Sequence, residues 1–169
     1  KVMVVGNVDN HSLSAKVMDK SKREYVNIVE ATPRNTAAAI AFAAFACDPD
    51  DILIVTPSDH IIEKMEDYNK AIDEAIVKAK EGFIVTFGII PTKPETGYGY
   101  IESKGDKVVS FREKPNETTA KNFIARGNFL WNSGMFCFKA GVLLEELKQF
   151  QPDVFEKSKA VWEANKEGF

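Results

Sequence analysis

The sequence predicts an α/β protein in which a mixed sheet is flanked by helices. Short apolar runs alternate with segments of helical periodicity along the first half of the chain, and this alternation is typical of strands that are connected through helices. The pattern changes in the second half, where two short segments flank Lys104, Gly105 and Asp106 in the manner of a β-hairpin. A sheet with both parallel and antiparallel strands is therefore expected.

The elements of the first half follow from apolar runs and helical periodicity. Residues 52–55 form a continuous apolar run of the kind that is buried on both faces of a sheet. Residues 37–46 are rich in alanine, which favours a helix, and Gly82 stands just past a helical segment, where it would end the helix. We expect strands at residues 1–5, 25–29, 52–55 and 83–87, and helices at residues 10–18, 37–46 and 65–80.

The second half is predicted to hold a hairpin, a further strand and three helices. Gly127 is the expected end of the first of these helices. The strands are expected at residues 100–103, 107–111 and 134–138, and the helices at residues 118–125, 142–148 and 153–164. The chain has no internal repeat and no linker rich in Pro, Gly or Ser, so residues 1–169 are expected to form a single domain.

The composition argues against several classes of function. Hydrophobic residues at 44% and charged residues at 28% are typical of globular proteins, and a net charge of −3 offers no basic surface for nucleic acid. No apolar run approaches the roughly 18 residues that span a bilayer, and no signal segment opens the chain. We expect a cytoplasmic protein without nucleic-acid or membrane partners. Cys47 and Cys137 lack metal-site spacing and are expected to be buried free thiols.

A run rich in glycine and tyrosine, at residues 94–101, indicates a small-molecule site. Gly97 and Gly99 allow backbone groups to approach a ligand closely, and Tyr98 and Tyr100 offer flat apolar surfaces with polar tips. The same run is also typical of a tight bend into an edge strand. By itself it leaves both interpretations open.

Four further polar segments accompany this run in a definite order. They lie at residues 33–37, 56–60, 111–115 and 131–136 and contain Pro-Arg-Asn-Thr-Ala, Thr-Pro-Ser-Asp-His, Phe-Arg-Glu-Lys-Pro and Trp-Asn-Ser-Gly-Met-Phe. Together, over residues 2–161, the five segments resemble the sugar-phosphate nucleotidyltransferases, and within them the mannose-1-phosphate guanylyltransferases. The resemblance implies the nucleotide-diphospho-sugar transferase fold, a Rossmann-like mixed sheet flanked by helices.

The resemblance also implies parts that this chain does not contain. The Gly-rich loop that holds the triphosphate in this family would precede Lys1, and a second metal-binding aspartate would follow Phe169. We therefore expect the chain to be the central part of a longer enzyme, with a fold that is incomplete at both ends, and to be inactive alone.

The candidate nucleotide site begins at the end of the second strand. Glu30 ends this strand, and a carboxylate can accept both the ring N–H and the amino group of guanine; the resemblance places this segment at the base-binding site. Arg34, Asn35 and Thr36 lead into a helix N-terminus, which favours anions, and the resemblance assigns them to nucleotide recognition. Helix capping explains Asn35 and Thr36 equally well, and an ion pair with Arg34 would explain Glu30.

Asp59 is the candidate metal ligand. It follows the apolar run at residues 52–55 and hence lies at the carboxyl edge of the sheet, where open α/β proteins bind their ligands. The resemblance implies that Asp59 binds Mg²⁺, which takes one or two carboxylates together with phosphate oxygens and water. The alternative is an N-terminal cap. His60 is expected to be a hydrogen-bonding neighbour, because Mg²⁺ prefers oxygen ligands.

The candidate sugar site combines three segments. The resemblance assigns sugar hydroxyls to Glu113 and the sugar phosphate to Lys114, whose compact point charge suits that task, although adjacent charges at a strand end can also be merely solvated. Trp131 and Met135 are expected to be packing residues. On this interpretation the sugar-binding residues are Gly97, Tyr98, Gly99, Glu113 and Asn132.

The reaction implied by the resemblance transfers GMP from GTP to mannose 1-phosphate, giving GDP-mannose and pyrophosphate. Phosphate is a competent nucleophile, so alignment and charge neutralisation are the main requirements, with Lys114 and Asp59 as the catalytic residues. The alternatives are another sugar 1-phosphate nucleotidyltransferase that joins glucose 1-phosphate to dTTP or UTP, a non-catalytic regulatory subunit, and a domain that binds another phosphorylated metabolite. GTP and mannose 1-phosphate are the expected partners, and a homo-oligomer is left open.

Overall fold

The computed structural model describes residues 1–32 and 36–166, which form seven strands and six helices. The strands are β1 (Val2–Asn7), β2 (Tyr25–Glu30), β3 (Ile52–Val55), β4 (Val85–Ile89), β5 (Tyr100–Lys104), β6 (Lys107–Arg112) and β7 (Phe129–Lys139). The helices are α1 (His11–Ser21), α2 (Thr36–Phe45), α3 (Met65–Lys80), α4 (Glu117–Arg126), α5 (Ala140–Phe150) and α6 (Pro152–Asn165). None of these six helices combines the length and apolar character that crossing a membrane requires.

The strands form one parallel pair and one larger sheet. β1 and β2 are parallel, with Val2 opposite Tyr25 and Asn7 opposite Glu30. The second sheet has the order β3-β7-β5-β6, and β4 also pairs with β7. The pairs β4–β7, β5–β6 and β5–β7 are antiparallel. The predicted α/β class with parallel and antiparallel strands is confirmed.

The chain divides into two compact units. The first unit comprises Lys1–Leu53, Ile76–Ile84 and Phe138–Phe169, and the second comprises Ile54–Ala75 and Val85–Cys137.

A helical cluster forms the core of the first unit. Ala41 of α2 packs with Leu147 of α5 and Phe155 of α6, and all three are buried. The Phe45 ring lies 5.9 Å from the Phe155 ring and 6.5 Å from the Trp162 ring, measured between centroids. The small side chains of α2 explain why two other helices pack so closely against it, because alanine leaves the helix surface open to larger neighbours.

Aromatic residues form the core of the second unit. Tyr100 and Phe129, on neighbouring strands, are buried together with Ala120 of α4. The Phe123 ring stacks on the Phe129 ring with centroids 4.0 Å apart, and the Asn116 side chain caps α4 by accepting from the Thr119 N–H at 2.9 Å. This packing fixes β5, the strand into which the glycine- and tyrosine-rich run leads.

Several predicted boundaries agree with the structure, but other expectations are wrong. β4 starts two residues later than predicted, at Val85. β3 is not buried on both faces, since Ile54 is 41% exposed and the strand stands at the end of the sheet order. Cys137 is a buried free thiol as expected, whereas the free thiol Cys47 is only partly buried, because it lies in the turn after α2.

The largest difference concerns β7, which extends over Phe129–Lys139 instead of residues 134–138. The polar residues before position 134 resemble a turn, but the structure accommodates them in an irregularity of the strand. The register between β4 and β7 shifts between Thr86 and Gly88, and Gly134 has a φ of +72°, which favours glycine. β5 pairs with both β6 and β7, so the glycine- and tyrosine-rich run does not lead into an edge strand.

Candidate active site

The loop before β5 is tied to the core of the second unit. The Tyr100 hydroxyl donates to the Glu95 carbonyl oxygen at 2.9 Å, and the Tyr100 side chain is fully buried. Tyr98 is 49% exposed, and its ring meets the Trp131 ring edge-on at 5.4 Å between centroids. One tyrosine of the run therefore anchors the loop, while the other presents an aromatic surface to solvent.

The β7 irregularity brings Asn132 to this loop. The Asn132 backbone N–H donates to the Gly99 carbonyl oxygen at 2.8 Å. The Asn132 Oδ1 atom accepts from the Gly134 N–H at 3.2 Å and from the Thr86 hydroxyl at 3.4 Å. Because a backbone N–H can only donate, these contacts identify the oxygen end of the amide and leave Nδ2 as the end available to a ligand.

Gly99 is where β6 approaches the same loop. A Cβ built on Gly99 would lie 2.6 Å from the Phe111 ring and 3.2 Å from a Glu113 carboxylate oxygen. Only glycine permits this approach without a shift of its neighbours. The structure therefore places the Glu113 carboxylate beside the backbone of the glycine- and tyrosine-rich run.

Lys114 adopts an unusual backbone conformation. Its φ is +38°, and Lys22 is the only other described residue besides glycines with a positive φ. The left-handed region costs a residue with a Cβ roughly 1 kcal/mol or more, and such strain is concentrated at functional sites. The Lys114 Nζ lies 3.6 Å from Glu113 Oε1, and both side chains are exposed. The ammonium group is therefore paired with a neighbouring carboxylate at the surface and remains accessible from solvent.

Asp59 lies in a turn after β3 and is exposed, as is His60. The segment that carries it approaches the β7 irregularity, because the Pro57 Cγ atom is 3.4 Å from a Cβ built on Gly134. Among residues 1–32 and 36–166 there is no group of three or more His, Cys, Asp or Glu side chains that could hold a metal ion. Asp59 is therefore a single exposed carboxylate among the described residues, without other protein ligands grouped around it.

Two of the predicted nucleotide residues, Glu30 and Thr36, belong to the first unit. Glu30 ends β2 and is partly buried, and desolvation by this burial raises its pKa above the usual value. Thr36 is the first residue of α2 and is exposed. Arg34 and Asn35 lie outside the described residues, so the alternative interpretation of Glu30, an ion pair with Arg34, falls outside them as well.

A groove of about 990 Å³ adjoins Glu30 in the first unit. One wall consists of the end of β2 and the start of α2, including Thr32, Ala37 and Phe42, and the other is the face of α6 that carries Trp162. The groove is large enough for a small molecule.

Sequence reasoning missed three residues that shape the surroundings of Asn132 and Gly97. Thr86 contacts Asn132, and the Ser133 hydroxyl donates to the Phe87 carbonyl at 2.7 Å and accepts from the Met135 N–H at 3.1 Å. The Glu95 carboxylate accepts from two backbone N–H groups of its own loop. A polar residue within a predicted strand was the signal for Thr86, and a carboxylate two residues before a glycine was the signal for Glu95. Ser133 lay before the predicted strand at residues 134–138, so no such signal pointed to it.

Comparison with known proteins identifies the class of protein. The nucleotidyl transferase family matches residues 1–168, and the chain belongs to this family. Its relatives include mannose-1-phosphate guanylyltransferase of Escherichia coli, 39% identical over 170 residues, and the xanthan biosynthesis protein XanB of Xanthomonas campestris, 40% identical over 172 residues. The alignments cover 91% and 97% of this chain, but 36% and 37% of those proteins. The chain thus spans about a third of the length of these curated relatives.

A solved structure has the same fold. The crystal structure described as mannose-6-phosphate isomerase from Helicobacter pylori superposes with a TM-score of 0.88 at 41% identity, covering 93% of this chain and 62% of that one. The resemblance to nucleotidyltransferases stated from the five segments is therefore confirmed, as is the nucleotidyltransferase fold.

Proposed function

We propose that this chain is part of a mannose-1-phosphate guanylyltransferase, which transfers GMP from GTP to mannose 1-phosphate. The observation that carries the proposal is the convergence of Gly99, Glu113 and Asn132 in the second unit, with Lys114 adjacent to Glu113. Glycine backbone, carboxylate and amide groups suit a hydroxyl-bearing ring, and an ammonium group suits its phosphate. The names of the Escherichia coli and Xanthomonas campestris relatives support this substrate class.

The reaction requires no protein nucleophile. A phosphate oxygen of mannose 1-phosphate attacks the α-phosphorus of GTP, a new P–O bond forms, and the bond from that phosphorus to the oxygen bridging to the β-phosphate breaks with release of pyrophosphate. Lys114 would hold the attacking phosphate, and Glu113, Asn132 and the backbone of residues 97–99 would orient the sugar. Catalysis on this proposal comes from alignment and charge neutralisation.

The metal ion is part of the proposal as well. Members of this family generally use a divalent metal, and we assign Mg²⁺ to Asp59. The ion would neutralise phosphate charge when bound. The role of Asp59 is to supply the carboxylate that holds it, next to the segment that carries Asn132.

The nucleotide would be recognised by the first unit. The Glu30 carboxylate would accept from the ring N–H and amino group of guanine, while Arg34, Asn35 and Thr36 would bind the nucleotide at the start of α2. A partly buried carboxylate beside a groove supports this assignment, because its poor solvation favours a partner that donates hydrogen bonds. We further propose that both units belong to one nucleotidyltransferase domain, because the family match extends over residues 1–168. We also propose that the enzyme is cytoplasmic.

A substrate screen with the complete gene product tests the proposal. Pyrophosphate release would be measured for GTP, dTTP and UTP, each with mannose 1-phosphate and with glucose 1-phosphate, in the presence of Mg²⁺. We expect GTP with mannose 1-phosphate to give the highest kcat/KM, and the Asp59→Asn variant to lose most turnover while remaining folded. A preference for another pair of substrates would contradict the assignment, and binding of GDP-mannose without turnover would indicate a regulatory subunit.

A further inference from the structure

The carboxylate of Glu95 organises the loop that leads into β5. Its Oε1 atom accepts from the Thr96 N–H at 3.0 Å and from the Gly97 N–H at 3.1 Å. Its Oε2 atom lies 3.0 Å from Lys93 Nζ, and the Glu95 side chain is only 25% exposed. One side chain therefore binds the backbone on its C-terminal side and a cation on its N-terminal side.

The backbone of Glu95 is held as firmly as its side chain. Its carbonyl oxygen accepts from the hydroxyl of fully buried Tyr100, and its N–H donates to the Lys93 carbonyl at 2.9 Å, which closes a tight turn. Tyr100 belongs to the aromatic core of the second unit. The residue thus connects residues 93–97 to a rigid part of the fold.

We propose that Glu95 is a positioning residue that holds residues 97–99 in the geometry that receives the sugar. The inference deepens the proposed function and rests on it for the identity of the ligand. Glu95 acts through the loop and does not itself touch the substrate, because its carboxylate oxygens are occupied by Thr96, Gly97 and Lys93.

The arrangement also determines which backbone groups of residues 97–99 already have a hydrogen-bond partner. The Thr96 and Gly97 N–H groups are used by Glu95, and the Gly99 carbonyl is used by Asn132. Within the described residues, the N–H groups of Tyr98 and Gly99 and the carbonyls of Gly97 and Tyr98 have no hydrogen bond to another backbone group. On this proposal these four groups of residues 97–99, together with Asn132 Nδ2, are candidates to bind sugar hydroxyls.

The charge state of Glu95 is consistent with this role. The hydrogen bond from the Gly97 N–H, followed by the hydrogen bond and charge of Lys93, lowers the pKa of the Glu95 carboxyl. An ionised carboxylate is the stronger acceptor for backbone N–H groups. The loop is therefore held by charge-assisted hydrogen bonds at neutral pH.

The test compares two substitutions of Glu95 in the complete gene product. Glu95→Ala removes all three contacts, whereas Glu95→Gln keeps an oxygen that can accept from Thr96 and Gly97 but loses the charge opposite Lys93. Glu102→Gln is the matched control, because the Glu102 carboxylate also accepts several hydrogen bonds in the second unit, from Ser110, Asn128 and Arg126, away from the loop.

Two measurements are made on each variant. Steady-state kinetics gives KM for mannose 1-phosphate and for GTP. Amide hydrogen exchange and NMR shifts report whether the Thr96 and Gly97 N–H groups remain hydrogen-bonded. For Glu95→Ala we expect kcat/KM for mannose 1-phosphate to fall by about 10- to 100-fold, the range expected for a misplaced binding group. The KM for GTP should stay within about twofold of wild type, because the loop is proposed to contact the sugar and not the nucleotide.

Glu95→Gln should retain much of the activity and both protected amides, while Glu102→Gln should lower the melting temperature without changing KM. Unchanged sugar kinetics in Glu95→Ala, or protected Thr96 and Gly97 amides in that variant, would overturn the proposal. If the wild-type protein does not use mannose 1-phosphate, the proposed function fails. Even then, loss of Thr96 and Gly97 amide protection in Glu95→Ala, with retention in Glu95→Gln, would support the positioning role of Glu95. If Glu95→Ala keeps this amide protection, the positioning role is overturned as well.

Discussion

The Asn132 backbone N–H donates to the Gly99 carbonyl oxygen at 2.8 Å, and this hydrogen bond joins the β7 irregularity to the loop before β5. As a consequence, two segments that are distant in sequence are held in a fixed position relative to each other. A shift of either segment would misplace both the Asn132 amide and the backbone of Gly99, which is why small changes at either position are expected to affect the same substrate.

Asn132→Asp tests the assignment of the Asn132 amide as a donor. The substituted carboxylate can still accept from Gly134 and Thr86, but it presents an acceptor where the amide presented Nδ2. We expect kcat/KM for mannose 1-phosphate to fall by about 10- to 100-fold, since a lost and unreplaced hydrogen bond costs roughly 1–3 kcal/mol. Asn122→Asp, on the exposed face of α4, is the control and should leave the kinetics unchanged. Wild-type kinetics in Asn132→Asp would show that Nδ2 does not donate to the substrate.

Gly99→Ala should disturb the sugar site through a steric contact. The new Cβ would lie 2.6 Å from the Phe111 ring and 3.2 Å from the Glu113 carboxylate, so both side chains must move. We expect a raised KM for mannose 1-phosphate with little change for GTP. The double variant Gly99→Ala/Phe111→Ala should recover part of the affinity, measured beside Phe111→Ala alone. A double variant no better than Gly99→Ala would indicate that Phe111 is not the obstacle.

Lys114 can be tested in a way that separates its charge from its backbone strain. Lys114→Ala removes the charge and keeps a Cβ at φ +38°, whereas Lys114→Gly removes the charge and relieves the strain. If the ammonium group binds the sugar phosphate, both variants should lose on the order of 2–3 kcal/mol in kcat/KM for mannose 1-phosphate, which is roughly 30- to 150-fold. GTP binding without the sugar should be unchanged, and Lys114→Gly should melt at the higher temperature of the two. Recovery of activity in Lys114→Gly would mean that only the turn geometry matters.

Glu30→Gln should affect stability and nucleotide binding in opposite directions. Burial raises the pKa of the Glu30 carboxyl in the folded state. The stabilisation of the fold by proton binding to this carboxyl is therefore complete below the unfolded-state pKa and is lost as the pH rises through the folded-state pKa. At neutral pH the neutral amide should therefore raise the melting temperature slightly, and this gain should vanish in acid. GTP affinity should fall, because an amide offers one acceptor to two guanine donors.

Glu24→Gln, at an exposed position before β2, is the control for the Glu30 variant and should change neither quantity. Thermal melting across pH and a GTP titration make the comparison. If Glu30→Gln binds GTP as tightly as wild type, Glu30 does not recognise the base.

Much of the fold could be predicted from the sequence because its signals are local. The boundaries of β3 and α3 agree with those predicted, and the hairpin around Gly105 and the end of α4 at Gly127 were both anticipated. Apolar periodicity and glycine position report on short segments, so they predict where a helix or strand begins and ends. They failed at β7, where Asn132, Ser133 and Gly134 have the composition of a turn but belong to a strand.

The order of the elements and the motifs that identify the family could be predicted from the chain alone, because both depend on residues close together in sequence. Three features became known only from the folded molecule: the Asn132 oxygen accepts within the protein, Glu113 lies beside Gly99, and the Glu95 carboxylate accepts from its own loop. The first two features depend on hydrogen bonds and contacts between strands that are distant in sequence. The third depends on a loop conformation in which the hydroxyl of buried Tyr100 donates to the Glu95 carbonyl oxygen. Pairing across a sheet is set by the packing of the whole unit, and a pattern of single residues does not encode it.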